Sequence, residues 1–122
     1  MTKVTFAFAT VLALAGLPSQ AFAAEYQCKG NRVEKGNMTI YTVRSNGSDL
    51  AIEKSNMSVG NLVKRGGKHH VEVGGSSIAT IENGRIEKGN SSWSTISEAQ
   101  RTFDCPDLVA GTLWVLKQTG KL

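Results

Sequence analysis

A repeated phrase rich in turn-forming residues is the feature that most restricts the fold of this chain. The stretch RVEKGNMTIYT at 32–42 returns as RIEKGNSSWST at 85–95, and a shorter copy, IEKSNMS, covers 52–58. Each copy alternates β-branched and charged residues before a turn rich in Gly, Ser or Asn. The phrase therefore predicts a strand, a chain reversal and the start of a second strand. The repeat has two alternative explanations, duplication of a hairpin unit or independent use of the same turn chemistry. The copies are unequally spaced, unlike the fixed period of a solenoid.

Short alternating runs continue from residue 26 to residue 96. We find no sustained helical period there, and runs bounded by turn residues recur about every eight to twelve positions. The turns are Asn-Gly at 46–47 and 83–84 and Gly-Gly at 66–67 and 74–75, which accept the positive φ angles of tight hairpins. The predicted strands are MTIYTV (38–43), DLAIEK (49–54), NLVKR (61–65), HHVEV (69–73), SIATIE (77–82) and SWSTIS (92–97). This pattern predicts a mainly β protein, a small antiparallel β-barrel or meander.

Residues 1–23 have the features of a cleaved signal peptide. Lys3 supplies a positive start, residues 4–17 are largely apolar, and Ala-Phe-Ala at 21–23 is the small-x-small pattern that signal peptidase reads. Cleavage near Ala23 leaves residues 24–122, a length suited to a single domain, and lowers the formal charge from +4 to +3. We expect a periplasmic or secreted protein without stable membrane insertion. A permanent N-terminal anchor is the alternative.

The cysteines predict one covalent cross-link. Cys28 and Cys105 are the only two in the chain, and a lone pair near the ends of a small exported domain is most simply a disulfide. In the chain-entropy model, closing so long a loop is worth about 4.5 kcal/mol. Redox-active or metal-binding cysteine pairs use closer spacing, so we expect a structural bond, no metal and no cofactor.

The segment after Cys105 departs from the strand pattern. It contains helix signals at both ends: Pro106, Asp107, Lys117 and Gly120. Its apolar residues share one helical face: Leu108, Val109, Leu113, Trp114 and Leu116. We predict a short helix packed over one end of the barrel. A final hairpin through Gly111 competes, because TLWVL suits a strand equally well.

One predicted turn concentrates positive charge. KRGGKHH places Lys64, Arg65 and Lys68 around Gly-Gly, a basic tip suited to phosphate, lipopolysaccharide or an acidic protein. Aromatic residues that would stack bases do not interleave with it, so we expect no nucleic acid partner. An ordinary solvated loop is the alternative. His69 and His70 are neighbours on a strand and should point to opposite faces, which disfavours a shared metal ion.

Recognisable catalytic motifs are missing from the sequence. GGSS at 74–77 lacks the strand-to-helix turn that exposes a nucleophilic serine, and GGKHH lacks the spacing of a phosphate-binding loop. The acidic residues are scattered without a motif, which leaves an unrecognised acid pair as the basis of any hydrolase. We therefore expect a binding protein rather than an enzyme.

Several segments together resemble the bacterial envelope inhibitors of c-type lysozyme. They are YQC at 26–28, the late second cysteine, the meander between them and SIATIENGRIEKGN at 77–90. That family consists of small periplasmic or lipid-anchored β-barrels with a Ser-Gly-x-x-Tyr segment followed, after an Asn-Gly or Asp-Gly turn, by Lys-Gly. A serine and a lysine of these segments enter the lysozyme cleft, and the resemblance implies Ser77 and Lys88 in these roles. This chain has Ile78 and Ile81 where the family has Gly and Tyr. Its serine–lysine separation is also shorter, and an odd-numbered shortening turns one side chain to the other face.

Three functional hypotheses follow. The first is a periplasmic inhibitor or binding module that contacts a c-type lysozyme or another envelope protein through Ser77 and Lys88. The second is a structural or envelope-associated protein that binds an anionic surface through the basic tip. The third is a small hydrolase of unrecognised type.

Overall fold

A computed structural model of the chain describes residues 24–122, so the predicted signal peptide lies outside the described residues. This part of the chain forms ten strands and two helices. The strands are β1 (Tyr26–Lys29), β2 (Arg32–Lys35), β3 (Met38–Asn46), β4 (Asp49–Lys54), β5 (Met57–Arg65), β6 (Lys68–Val73), β7 (Ser76–Glu82), β8 (Arg85–Lys88), β9 (Ser91–Thr95) and β10 (Phe103–Asp104). The helices are α1 (Ile96–Thr102) and α2 (Asp107–Gln118). Neither helix combines the length and apolar character required to cross a lipid bilayer.

All ten strands belong to one sheet. Strands β1 to β9 pair antiparallel in chain order, and β10 adds parallel to β1 at one edge. The other edge is β9, and no strand pairing joins the two edges within the described part of the chain. The mainly β prediction and its meander form are confirmed, whereas the sheet does not close into a barrel. After β9 the chain enters α1 instead of supplying a closing strand.

The predicted turns reverse the chain as expected. Asn83 and Gly84 have φ angles of 53° and 75°, the left-handed region that a tight hairpin requires. The turns at 66–67 and 74–75 join antiparallel strands in the same way. The turn predicted at 46–47 lies one residue later, at 47–48, because Asn46 still pairs with Asp49. Local turn chemistry therefore fixes most strand boundaries.

Two predicted strands are markedly longer in the structure, since β3 continues to Asn46 and β5 begins at Met57, and the last predicted strand is wrong at its end. SWSTIS was expected to continue to Ser97, but β9 stops at Thr95 and α1 begins at Ile96. The Thr95 hydroxyl accepts a hydrogen bond of 3.1 Å from the backbone N–H of Glu98. Thr-Ile-Ser-Glu is the sequence of a capping box, a helix-start signal that outweighs the alternation before it.

The C-terminal helix is confirmed as α2, but it packs on one face of the sheet rather than over an end. Side chains from the sheet and from α2 form one buried cluster. The buried residues of α2 are Ala110, Gly111, Thr112, Leu113, Val115 and Leu116. A Cβ atom at Gly60 of β5 would lie 2.6 Å from the Leu116 side chain, so glycine permits the close approach of sheet and helix.

The predicted disulfide is present. Cys28 of β1 bonds to Cys105, which lies between β10 and α2. It fastens the first strand to the chain segment that enters the helix, so the two ends of the domain share one cross-link.

A candidate binding surface at the hairpin tips

Four hairpins of the sheet repeat one local pattern. Each contains a buried Val or Ile, a glutamate, one further residue and a two-residue turn. The buried residues are Val33, Ile52, Val71 and Ile86, and the glutamates are Glu34, Glu53, Glu72 and Glu87. The third copy, VEVGGSS at 71–77, is hidden in the sequence because Val73 and Gly75 replace the usual Lys and Asn. Successive glutamates are 19, 19 and 15 residues apart. The last interval is four residues shorter than the others, and because strand side chains alternate with a period of two, this even difference keeps each side chain on the same face.

The four hairpins separate from one another near these turns. A β-bulge follows the buried residue in each hairpin. Beyond it, β3 pairs with β4 only from Thr42 onward, β5 with β6 from Asn61, and β7 with β8 from Thr80. Residues 35–38, 54–57, 73–76 and 88–91 therefore project as separate turns from one end of the sheet. We call these four turns together the tip edge.

Lysine side chains cover aromatic rings at the tip edge. The pairs, with distances from lysine Nζ to ring centroid, are Lys35–Tyr26 (5.5 Å), Lys54–Tyr41 (6.0 Å) and Lys88–Trp93 (5.1 Å). Trp93 also packs edge-on against Trp114 of α2, with centroids 5.0 Å apart. In this arrangement the lysine stems cover apolar surface while the ammonium groups stay in water.

Two methionines on the tip edge are unusually exposed. Met38 is 66% exposed and Met57 is 71% exposed, although large apolar side chains are normally covered. Met38 pairs with Lys35 across the first turn, and Met57 pairs with Lys54 across the second. Each of the first two tips therefore presents an apolar side chain directly beside an ammonium group.

The tip edge has excess positive charge. Glu25 contacts Lys35 at 2.8 Å and Lys117 at 3.5 Å, and the hydrogen bond with Lys35 lowers the pKa of Glu25 and raises that of Lys35. Within residues 24–122, Lys54 and Lys88 make no ion pair. An anionic partner would therefore meet two ammonium groups whose charge is uncompensated.

The four repeated glutamates do not oppose such a partner. Each follows a residue buried in the core cluster, so its side chain points to the opposite face of the sheet, the outer face. There each glutamate forms an ion pair with an arginine: Arg32–Glu34 (3.5 Å), Arg44–Glu53 (3.3 Å), Arg65–Glu72 and Arg85–Glu87 (3.8 Å). Their negative charge is thus compensated locally, away from the lysines.

Ser77 and Lys88 do not share one surface. Ser77 pairs with Glu72 on the outer face, and its Oγ lies 3.0 Å from Nδ1 of His70. Lys88 lies on the α2 side of the sheet, over Trp93. Lys88 therefore belongs to the fourth turn of the tip edge, whereas Ser77 follows the third turn and faces the opposite side of the sheet.

The predicted basic tip lies at the opposite end of the sheet from the tip edge. Lys64, Arg65 and Lys68 do come together on the hairpin of β5 and β6. Arg65 forms its ion pair with Glu72, and Nζ of Lys68 lies 3.9 Å from Glu82. Two of the three charges are therefore already matched by carboxylates.

The histidines lie on opposite faces, as the strand alternation predicts. His70 contacts Ser77 on the outer face, whereas His69 lines a cavity that Leu108 of α2 also lines. Burial, with a smaller contribution from Lys64, lowers the pKa of His69. Among the described residues, no group of three or more His, Cys, Asp and Glu is arranged to hold a metal ion.

The contact between Ser77 and His70 is the arrangement closest to catalytic chemistry. A hydroxyl bonded to imidazole is one part of a nucleophile–base pair. Ser77 is exposed on the outer face of the sheet, however, rather than enclosed in a cleft. The contact alone gives the hydrolase hypothesis little support.

Sequence reasoning named Lys88 through the family resemblance but missed Lys35, Lys54, Met38 and Met57 of the tip edge. Their signal was the repeat itself, because EKGNM at 34–38 and EKSNM at 53–57 share the residues on both sides of the turn. The turn requires only the two central residues. The flanking Lys and Met therefore belong to the exposed surface rather than to hairpin formation.

Comparisons with protein-family models, with curated proteins and with solved structures found no match to this chain.

Proposed function

We propose that this protein is an exported, non-catalytic binding module that docks on an anionic surface of the cell envelope through its tip edge. The observation that carries the proposal is the grouping of Lys54 and Lys88, without ion-pair partners in the described part of the chain, on the same end of the sheet as Lys35. This retains the hypothesis of anionic-surface binding. It moves the contact from Lys64, Arg65 and Lys68 to the tip edge.

Export to the periplasm or the outside of the cell is part of this proposal. The disulfide between Cys28 and Cys105 supports it, because such bonds persist in oxidising compartments and are rare in the cytosol. The signal-peptide pattern of residues 1–23 agrees with the same location.

A rigid array of turns suits binding rather than catalysis. The tips are continuous with strands of one sheet, and the disulfide fixes the ends of the domain, so docking requires little ordering of the chain. Exposed ammonium groups attract an anionic surface at long range, and dissolved salt screens this attraction. Binding should therefore weaken as ionic strength rises.

Retention on immobilised dextran sulfate, a purely anionic polymer, tests the proposal. We expect the wild-type protein to be retained at low salt and the double variant Lys54→Gln/Lys88→Gln to elute at clearly lower salt. The double variant Lys64→Gln/Lys68→Gln removes the same charge from the opposite end of the sheet and should elute closer to the wild type. Equal elution of the two double variants would contradict the assignment to the tip edge.

Protein–protein inhibition of a c-type lysozyme is the second candidate function. It is favoured by Lys88, which lies over Trp93 at the fourth tip without an ion-pair partner among residues 24–122 and suits an acidic glycosidase cleft. Lytic activity measured with a molar excess of the protein tests this candidate. A loss of inhibition in Lys88→Gln but not in Ser77→Ala would support the lysine alone, and unchanged lysis with the wild-type protein would exclude the candidate.

A further inference from the structure

We propose that the tip edge docks on a bilayer containing anionic phospholipid, and that Met38 and Met57 enter the boundary between its headgroups and acyl chains. This inference rests on the proposed function. It adds the nature of the surface and a second, apolar component of binding.

Met38 and Met57 have the exposure and position that such an apolar contact needs. They are 66% and 71% exposed and stand at the ends of neighbouring hairpins. They belong to the β2–β3 and β4–β5 hairpins, which are neighbours in the sheet and project from the same end of it. Both side chains therefore lie at the end of the sheet that would face the bilayer, and the paired parts of the strands lie behind them.

The charges beside the methionines match an anionic membrane surface. Lys35 and Lys54 are the cross-strand partners of Met38 and Met57, so each apolar side chain has an ammonium group beside it. When a methionine enters the boundary, the neighbouring lysine reaches the phosphate layer above it. The partly exposed ring of Tyr26 under Lys35 adds an amphipathic group that favours this depth, whereas Tyr41 under Lys54 is buried in the core.

Carboxylates do little to repel phosphate groups here. Glu25, at the same end of the sheet, is held by two lysines. Glu34 and Glu53 lie on the outer face and are paired with arginines. The part of the tip edge that would face the bilayer is therefore cationic and apolar.

A bilayer explains both components better than a soluble anionic partner does. An acidic polymer in water would be recognised by the ammonium groups alone and would leave both methionines exposed. A folded acidic protein would need a surface that fits between separate projecting turns. A bilayer deforms around each turn and supplies phosphate and hydrocarbon at adjacent depths.

Vesicle co-sedimentation of the disulfide-bonded protein tests the inference. The probes are equimolar phosphatidylglycerol–phosphatidylcholine vesicles and pure phosphatidylcholine vesicles, with dextran sulfate as the polymer comparison. We expect binding to the anionic vesicles only, and a loss of about tenfold or more in the variant Met38→Gln/Met57→Gln. The variant Met38→Leu/Met57→Leu keeps the apolar surface and should bind vesicles like the wild type. Retention on dextran sulfate should be unchanged in both variants, and urea unfolding like that of the wild type shows that they fold.

Three outcomes would overturn the inference. If the Gln variant binds vesicles like the wild type while Lys54→Gln/Lys88→Gln loses binding, the contact is purely electrostatic and only the proposed function survives. If the wild type is retained on dextran sulfate but does not bind anionic vesicles, the anionic partner is not a bilayer. If it binds neither probe and instead inhibits lysozyme through Lys88, the occupant is the acidic cleft of an enzyme and the proposed function falls as well.

Discussion

Ser55 shows how strictly the repeated turns determine the backbone. It has a φ of 54° and is followed by Asn56 at 67°, the same left-handed pair that Gly36 and Asn37 form in the first tip. A side chain with a Cβ atom is strained in this region, and glycine is not. The hairpin geometry has therefore imposed the conformation on a residue that does not favour it.

Replacing Ser55 with glycine should raise the free energy of unfolding by about 1 kcal/mol, since the left-handed strain disappears. Urea unfolding of the variant measures this change. The matched control is Gly36→Ser at the equivalent position of the first tip, which should lower stability. A Ser55→Gly variant less stable than the wild type would show that the second turn is not strained.

His69 should make stability depend on pH. The pKa of His69 in the folded protein lies below the ordinary value of 6.5, mainly because of burial. As the pH falls through 6.5, the unfolded chain therefore binds a proton before the folded protein does. Stability contributed by neutral His69 is therefore present above about pH 6.5 and is lost as the pH falls toward the folded-state pKa. Urea unfolding at about pH 7.5 and about pH 5.5 should show a smaller difference in His69→Gln than in the wild type. His70→Gln, on the outer face, serves as the control, and equal pH dependence in wild type and His69→Gln would contradict the assignment.

Helix α1 ends the series of repeated hairpins. In the first three repeats, Thr42, Asn61 and Thr80 are the residues at which the next strand begins to pair. Thr95 occupies this position in the fourth repeat, but its hydroxyl caps α1 instead. The part of β9 that would accept another strand has thus become helix, which shortens the open edge and limits edge-to-edge association.

Thr95→Ala should lower the free energy of unfolding by about 1 kcal/mol, because the N-terminal amides of α1 lose their side-chain acceptor. Thr80→Ala is the matched control, since Thr80 occupies the same repeat position in a strand and should cost less. Thermal or urea unfolding compares the two variants. Equal losses of stability in Thr95→Ala and Thr80→Ala would mean that the hydrogen bond from Glu98 to Thr95 adds no stability beyond what any Thr side chain contributes.

The molecule as a whole depends on bringing its two ends together. Helix α2 contacts β5 and β7 within the sheet and β10 at its edge, and α1 links β9 to the same helix. The disulfide fastens β1 to the segment that leads into α2. The C-terminal helix therefore completes a core that the sheet alone does not cover.

Removing the cross-link with Cys28→Ser/Cys105→Ser should lower the free energy of unfolding by about 2–5 kcal/mol, because the unfolded chain regains the freedom of a long open loop. Unfolding in urea, with the oxidised wild type as reference, measures the loss. Equal stability of the two proteins would show that packing of α2 alone holds the ends.

Local signals made the strands and turns predictable, and interactions between elements limited the prediction of the site. The residue types at Asn83 and Gly84 predict the positive φ angles found there, because few other residues accept positive φ. The resemblance that joined Ser77 to Lys88 concerned two segments, and their relative faces depend on strand register. Met38 and Met57 were missed because their exposure follows from the separation of neighbouring hairpins.

The sequence by itself determined the meander and the pairing of the two cysteines, since each follows from residues that restrict their own backbone or have a single partner. It predicted a helix after Cys105 but left a final hairpin open. Only the tertiary structure decided that the sheet stays open, that α2 lies on its face and that lysines and methionines gather at one end. These features depend on β-bulges and on the close approach that Gly60 permits, where contacts distant in sequence decide which side chains remain in water.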